Sequence, residues 1–180
     1  TIDSHFTAIC RACSSGDYRT QAAAGYPVVV HLKGFLHMSE LSLDQANKLI
    51  VTALAMARNM DLPPLAVAVL DAGGHLKALQ REDGVSFLRV QICQAKAWGA
   101  LGLAADSSNI AERYQQDELQ RGFINALNAM SGGRLIPLPG GVLIRDKPSG
   151  PILGAVGVAG GRSEDDEMVA LAGIQAIGFK

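Results

Sequence analysis

Leu43, Ala46, Ile50, Ala53, Leu54 and Ala57 recur at the spacing of one helix face. Ser42, followed three residues later by Gln45, supplies the capping-box pair that starts this helix. The prolines of "DLPP" end it, and the unbroken apolar run from Leu65 to Leu70 predicts a buried strand. Asp71-Ala72-Gly73-Gly74 is turn chemistry, because glycine supplies the positive φ that a tight reversal needs. "HLKALQR" (75–81) is the return strand, with Leu76, Ala78 and Gln80 alternating against Lys77 and Leu79. After a second turn in "REDGVS", Leu88, Ile92, Ala95 and Gly99 mark a helix face whose small residues predict close packing.

"DSSNIAERYQQDELQRGFINALNAM" is polar and then amphipathic, which predicts a helical hairpin or one bent helix. A Gly- and Pro-rich loop, "SGGRLIPLPGG", follows. "VLIRD" and "GPILGAVGVAGG" form a second strand pair around the "KPSG" turn. The chain closes on a helix with Ser163 as N-cap and an acidic first turn, Glu164 to Glu167, matched to the helix dipole. The order α-β-β-α-α-β-β-α, with two separate hairpins, predicts an α/β domain of the α+β type with an antiparallel sheet.

Residues 1–37 lack this periodicity and hold three of the four histidines and two of the three cysteines. Met38 reads as a natural start, so 1–37 are expected to be an extension outside the fold and 38–180 the domain.

Composition narrows the classes. Hydrophobic residues make up 48% and charged residues 18%, enough for a core and unlike a disordered chain. A net charge of −1 with 5% aromatics offers no basic face for nucleic acid. No apolar run reaches the roughly 18 residues of a membrane span. "AGYPVVVHLKGFLHM" is broken by His31, Lys33 and Gly34 and lacks the marks of a signal peptide. The expectation is a soluble, cytoplasmic protein.

His75 is the only histidine between 38 and 180. A two-histidine zinc site, H-E-x-x-H chemistry and a His-rich cluster are therefore excluded from the domain. No G-x-S-x-G elbow, G-x-G-x-x-G turn or phosphate loop occurs, so no nucleotide cofactor is expected. Cys10 and Cys13 form a lone C-x-x-C, and Cys93 reads as a small buried hydrophobe.

Each remaining polar group has two readings. Asp71 caps its own turn or serves a site. Arg81 and Asp83 pair with each other, or Arg81 meets a ligand. Lys96 snorkels from a small, apolar helix or holds an anion. Asp166 and Glu167 complement the helix dipole or act as acid and base. Trp98 reads as packing in preference to ligand stacking. His75 is a surface hairpin residue or an axial metal ligand.

Four stretches, "VAVLDAGGHLKALQREDG", "QAKAWGAL", "LPGGVLI" and "GAVGVAGGRSEDDEMVALAGIQAI", resemble in order the GlcG/HbpS-like haem-binding or haem-degrading domain family. That family is related to the C-terminal domain of PduO-type cobalamin adenosyltransferases. The resemblance implies a profilin-like antiparallel sheet flanked by helices, assembly into homo-oligomers and haem binding, with His75 at the axial-ligand position. Asp71, Gly74, Arg81, Lys96, Gly140, Gly141, Gly160, Asp166 and Glu167 fall on recurring motif positions. Trp98 stands where the family has a small hydroxyl residue, and "GGVLI" lacks the usual proline; both bear on pocket shape.

The leading expectation is an oligomeric haem-binding or haem-sensing accessory protein without robust turnover. His75 would ligate iron, Gly74, Gly140 and Gly141 would line the site, and Arg81 or Lys96 would draw propionates. The second is an enzyme or accessory protein for a small organic or aromatic acid. There Lys96, Arg81 and the Gly140-Gly141 amides clamp the anion, and Asp166 or Glu167 moves protons. The third is an assembly module.

Overall fold

Alternation along the strands divides a four-stranded sheet into a branched face and a small face. The computed structural model describes residues 40–179. The expected extension 1–37 and the Cys10–Cys13 pair lie outside them. The described elements are α1 (Leu43–Asn59), β1 (Ala66–Asp71), β2 (Leu76–Arg81), α2 (Phe87–Leu103), α3 (Ser107–Gln116), α4 (Glu118–Met130), β3 (Gly141–Arg145), β4 (Ile152–Ala159) and α5 (Ser163–Ala176).

The sheet runs β2-β1-β4-β3, antiparallel throughout. Both predicted hairpins form, and they join through β1 and β4, from Ala66 opposite Ala159 to Asp71 opposite Gly154. Val67, Val69, Val142, Ile144, Val156 and Val158 pack under α1 and α5. Full burial of such a side chain contributes about 1.5–3 kcal/mol. On the other face stand Ala66, Ala68, Leu70, Ala155 and Ala159.

That smaller face lets α2 come close. A Cβ at Gly157 would strike the Cys93 carbonyl, and one at Gly141 the Lys96 carbonyl. The contact selects Cys93, Lys96, Ala97 and Ala100 as the buried side of α2. Of the predicted face Leu88, Ile92, Ala95 and Gly99, the small residues Ala95 and Gly99 are also buried, Ile92 is half-buried, and Leu88 remains 50% exposed.

Three helix boundaries refine the sequence reading. In α1 both capping-box bonds form, Gln45 N–H to Ser42 Oγ at 3.1 Å and Ser42 N–H to Gln45 Oε1 at 2.9 Å. Leu49 takes the core place expected of Leu43, which is exposed. The polar-then-amphipathic stretch is two helices, not one bent helix, so the order gains an element. Asp117 adopts an extended backbone between them and caps α4 by accepting the Gln120 N–H at 2.7 Å. The N-cap of α5 is Arg162 rather than Ser163, without a side-chain cap bond. Asp166 Oδ1 takes up the capping work by accepting the Gly161 N–H at 3.0 Å. No described helix is long and apolar enough to cross a membrane.

Candidate ligand-binding site

The β1–β2 turn is built by Asp71, as expected of a residue capping its own turn. Its Oδ1 accepts the N–H groups of Gly73 at 2.9 Å and His75 at 3.0 Å. These bonds, the one from His75 foremost, hold the Asp71 carboxyl below its ordinary value. Gly74 is required by its backbone, and Gly73 leaves room for the His75 ring. A Cβ at Gly73 would lie 2.9 Å from His75 Nδ1. Gly74 has φ +78°, and its Cβ would lie 3.2 Å from Trp98 Nε1.

The turn thus leaves room for two rings. The His75 side chain is 83% exposed, with Nδ1 3.4 Å from Asp71 Oδ1. Asp71 sits on the Nδ1 side, so Nε2 is the nitrogen left for a ligand.

Beside the turn lies a cavity of about 550 Å³. The hairpin contributes Leu70, Gly74, His75 and Leu76, and α2 contributes Gln91, Gln94, Ala95 and Trp98. Gly133 and Arg134 close it from the α4–β3 loop. The Arg134 guanidinium carbon stands 4.8 Å from the Trp98 ring centroid, within cation–π range.

The other predicted site residues lie elsewhere. Arg81 ends β2, exposed, five residues beyond Leu76, roughly 17 Å along the strand from the hairpin tip. The expected Arg81–Asp83 pair is not among the ion pairs of the described residues. The acid of this turn that is engaged is Glu82, which accepts the Leu65 N–H at 2.6 Å and pairs with Arg58 at 3.1 Å.

Lys96 neither snorkels nor lines the cavity. Its ammonium bonds Asp166 Oδ2 at 2.8 Å and the Val158 carbonyl at 3.0 Å, with both side chains buried. Burial pulls the Lys96 amine below the usual lysine range, against the Asp166 carboxylate, which works to raise it. Gly140 gives this pair room, since a Cβ there would lie 2.8 Å from Lys96 Nζ. The Gly141 N–H is already taken by Ser107 Oγ at 2.7 Å. Glu167 accepts the Ser108 hydroxyl at 2.6 Å, tying α5 to α3. Lys96, Asp166, Gly140 and Gly141 are therefore one structural cluster, apart from the residues around His75.

Cys93 is buried, as expected, and its thiol is pushed up to about 12 by desolvation. Sequence reasoning assigned Trp98 to packing and passed over Gln91, Gln94 and Arg134. A signal was present: Gln91, Gln94, Ala95 and Trp98 stand at i, i+3, i+4 and i+7, a face of α2 without branched aliphatics.

An antiparallel sheet with helices on both faces defines an α+β domain, and the imidazole at the rim of an indole-walled cavity is its candidate site. The chain belongs to the HbpS-like family, described as "Haem degrading protein HbpS-like", which it matches over residues 41–175. No curated protein matches it.

Three solved structures show the similarity. The PduOC:heme complex shares the fold at 23% identity, with 78% of this chain and 97% of that chain covered and a TM-score of 0.69. The Klebsiella pneumoniae protein ORFY is 25% identical over 76% of this chain and 90% of its own, with a TM-score of 0.68. A double mutant of Streptomyces reticuli HbpS is 25% identical over 88% and 97%, with a TM-score of 0.62.

Proposed function

We propose that this protein binds haem in the cavity between the β1–β2 turn and α2, with His75 as the iron ligand. The observation that carries the reading is the exposed His75 imidazole at the rim of a 550 Å³ cavity walled by Trp98. The donor set suits the group: a neutral imidazole ligates iron, Asp71 holds its other nitrogen, and an indole packs on a flat macrocycle. When bound, haem would supply the redox and ligand-binding chemistry of its iron. The chain's own residues orient the imidazole and shield one side of the cavity.

Binding without robust turnover is favoured by where the acid–base candidates sit. Lys96 and Asp166 are locked to each other and Glu167 to Ser108, none of them on the cavity wall.

Titration with haemin tests the proposal. A Soret shift at micromolar haemin, with affinity weakened at least tenfold in His75→Ala, is the expected outcome. An unshifted band in the parent protein, or the same affinity and spectrum in His75→Ala, overturns it.

A further inference from the structure

The cavity carries a cation and no acid of its own. Among its lining residues Arg134 alone bears a permanent charge. None of the ion pairs among the described residues involves Arg134. Its backbone is nonetheless fixed. The Gly133 N–H donates to the Asn128 carbonyl at 2.8 Å, the Arg134 N–H to Ser131 Oγ at 3.3 Å, and the Leu135 N–H to Asn128 Oδ1 at 3.3 Å. Leu135, the next residue, is 3% exposed and packs with Ile110 and Ile124.

A guanidinium stacked on an indole uses its face and keeps its N–H edge for acceptors. The Trp98 indole, whose Nε1 lies beside Gly74, adds a group that can only donate. Acceptors on a ligand are what this pair lacks.

We propose that Arg134 and Trp98 form a carboxylate-recognition subsite. Through it the cavity takes planar apolar molecules by an acidic edge, whether or not they carry a metal. The inference rests on the haem reading for the size of the planar body, and on Arg134 alone for the acid. Its ligand class includes metal-free porphyrins with free carboxylates. His75 and Arg134 come from different elements, the hairpin and the α4–β3 loop, so the two anchors are separable.

Trp98 is the only tryptophan in the chain, so its fluorescence reports occupancy at the subsite itself. Parent protein, Arg134→Gln and His75→Ala would be titrated with haemin, protoporphyrin IX and protoporphyrin IX dimethyl ester. Urea unfolding would establish that each variant is folded. Protoporphyrin IX is expected to quench the parent protein, and Arg134→Gln to weaken that binding about tenfold or more. The ester is expected to bind more weakly than the acid and to be indifferent to Arg134→Gln. His75→Ala is expected to weaken haemin binding by a larger factor than protoporphyrin IX binding, because only haemin can use the imidazole as a ligand.

Equal losses for acid and ester in Arg134→Gln would overturn the subsite, leaving Arg134 as a packing element. Binding of haemin without binding of protoporphyrin IX would also overturn it, while sparing the iron reading. Acid selectivity that depends on Arg134, together with haemin binding indifferent to His75→Ala, would sustain the subsite and sink the iron reading.

Discussion

The Lys96–Asp166 pair gives the sharpest test of how this domain is held together. Lys96→Met and Asp166→Leu keep the approximate side-chain shape, and they and the double variant remove one charge, the other, or both. The ammonium and carboxylate are 2.8 Å apart, with side-chain exposures of 2% and 1%, so either survivor is stranded out of water. Removing one partner of such a pair costs about 3–5 kcal/mol.

Asp166 has a second duty, accepting the Gly161 N–H at the start of α5, which adds about 1 kcal/mol to its loss. The expectation is about 3–5 kcal/mol for Lys96→Met and about 4–6 kcal/mol for Asp166→Leu. The double variant strands no charge. It should lose about 2–3 kcal/mol, for the Gly161 bond and the Lys96 bond to the Val158 carbonyl, which makes the coupling about 4 kcal/mol or more. Urea unfolding followed by far-UV circular dichroism measures all three. Should Asp166→Leu not fold while the double variant does, the sign of the coupling stands. Two single variants each within about 1 kcal/mol of the parent, with an additive double, would refute the reasoning.

Two further outcomes follow from packing and from burial. Gly157→Ala drives a methyl into the Cys93 carbonyl and should cost about 3 kcal/mol. Gly122→Ala, with nothing within 4 Å of the new methyl, should stabilise α4 by about 0.5–1 kcal/mol; urea midpoints decide both. The Cys93 thiol, ordinarily near 9.0, stands at about 12 in the folded state. Between those values the unfolded chain releases a proton that the folded chain keeps. Stability should therefore fall as pH rises above 9, by up to about 1.4 kcal/mol per unit, and Cys93→Ala should remove that slope. Parallel stability curves for parent and variant from pH 8 to 10.5 would contradict the assignment.

Local signals were legible in the chain because neighbours in sequence make them. Ser42 with Gln45, the Asp71-to-Gly74 turn and the two apolar hairpins each depend on contacts within a few residues, and each forms. The join of β1 to β4 was not legible, since nothing in a hydrophobic run states its partner. Lys96 and Asp166 lie 70 residues apart, so each was read alone, the lysine as snorkelling or holding an anion and the aspartate as helix-dipole complement or acid–base group. Trp98 was read as packing because periodicity shows which residues share a face, not whether that face meets protein or a cavity. Arg134 was missed because it sits in a Gly- and Pro-rich loop without a period. Its place over Trp98 depends on Asn128 and Ser131 pinning the loop to the end of α4.

The buried pair and the cavity are connected through the rotation of α2. Residues two apart on a helix point about 200° from one another. With Lys96 drawn to Asp166 and Cys93 and Ala97 against the small face of the sheet, Trp98 is turned outward beneath the β1–β2 turn. Gln91, Gln94 and Ala95 follow on the same side. Lys96 thus shapes the cavity wall through the helix it orients, without lining the cavity itself. Gly73 and Gly74 complete the arrangement from the opposite wall, because any side chain there would displace His75 or Trp98. The motif residues divide accordingly: the glycines and Asp71 present one ring, the lysine and Asp166 turn the other to face it, and the cavity is the space between them.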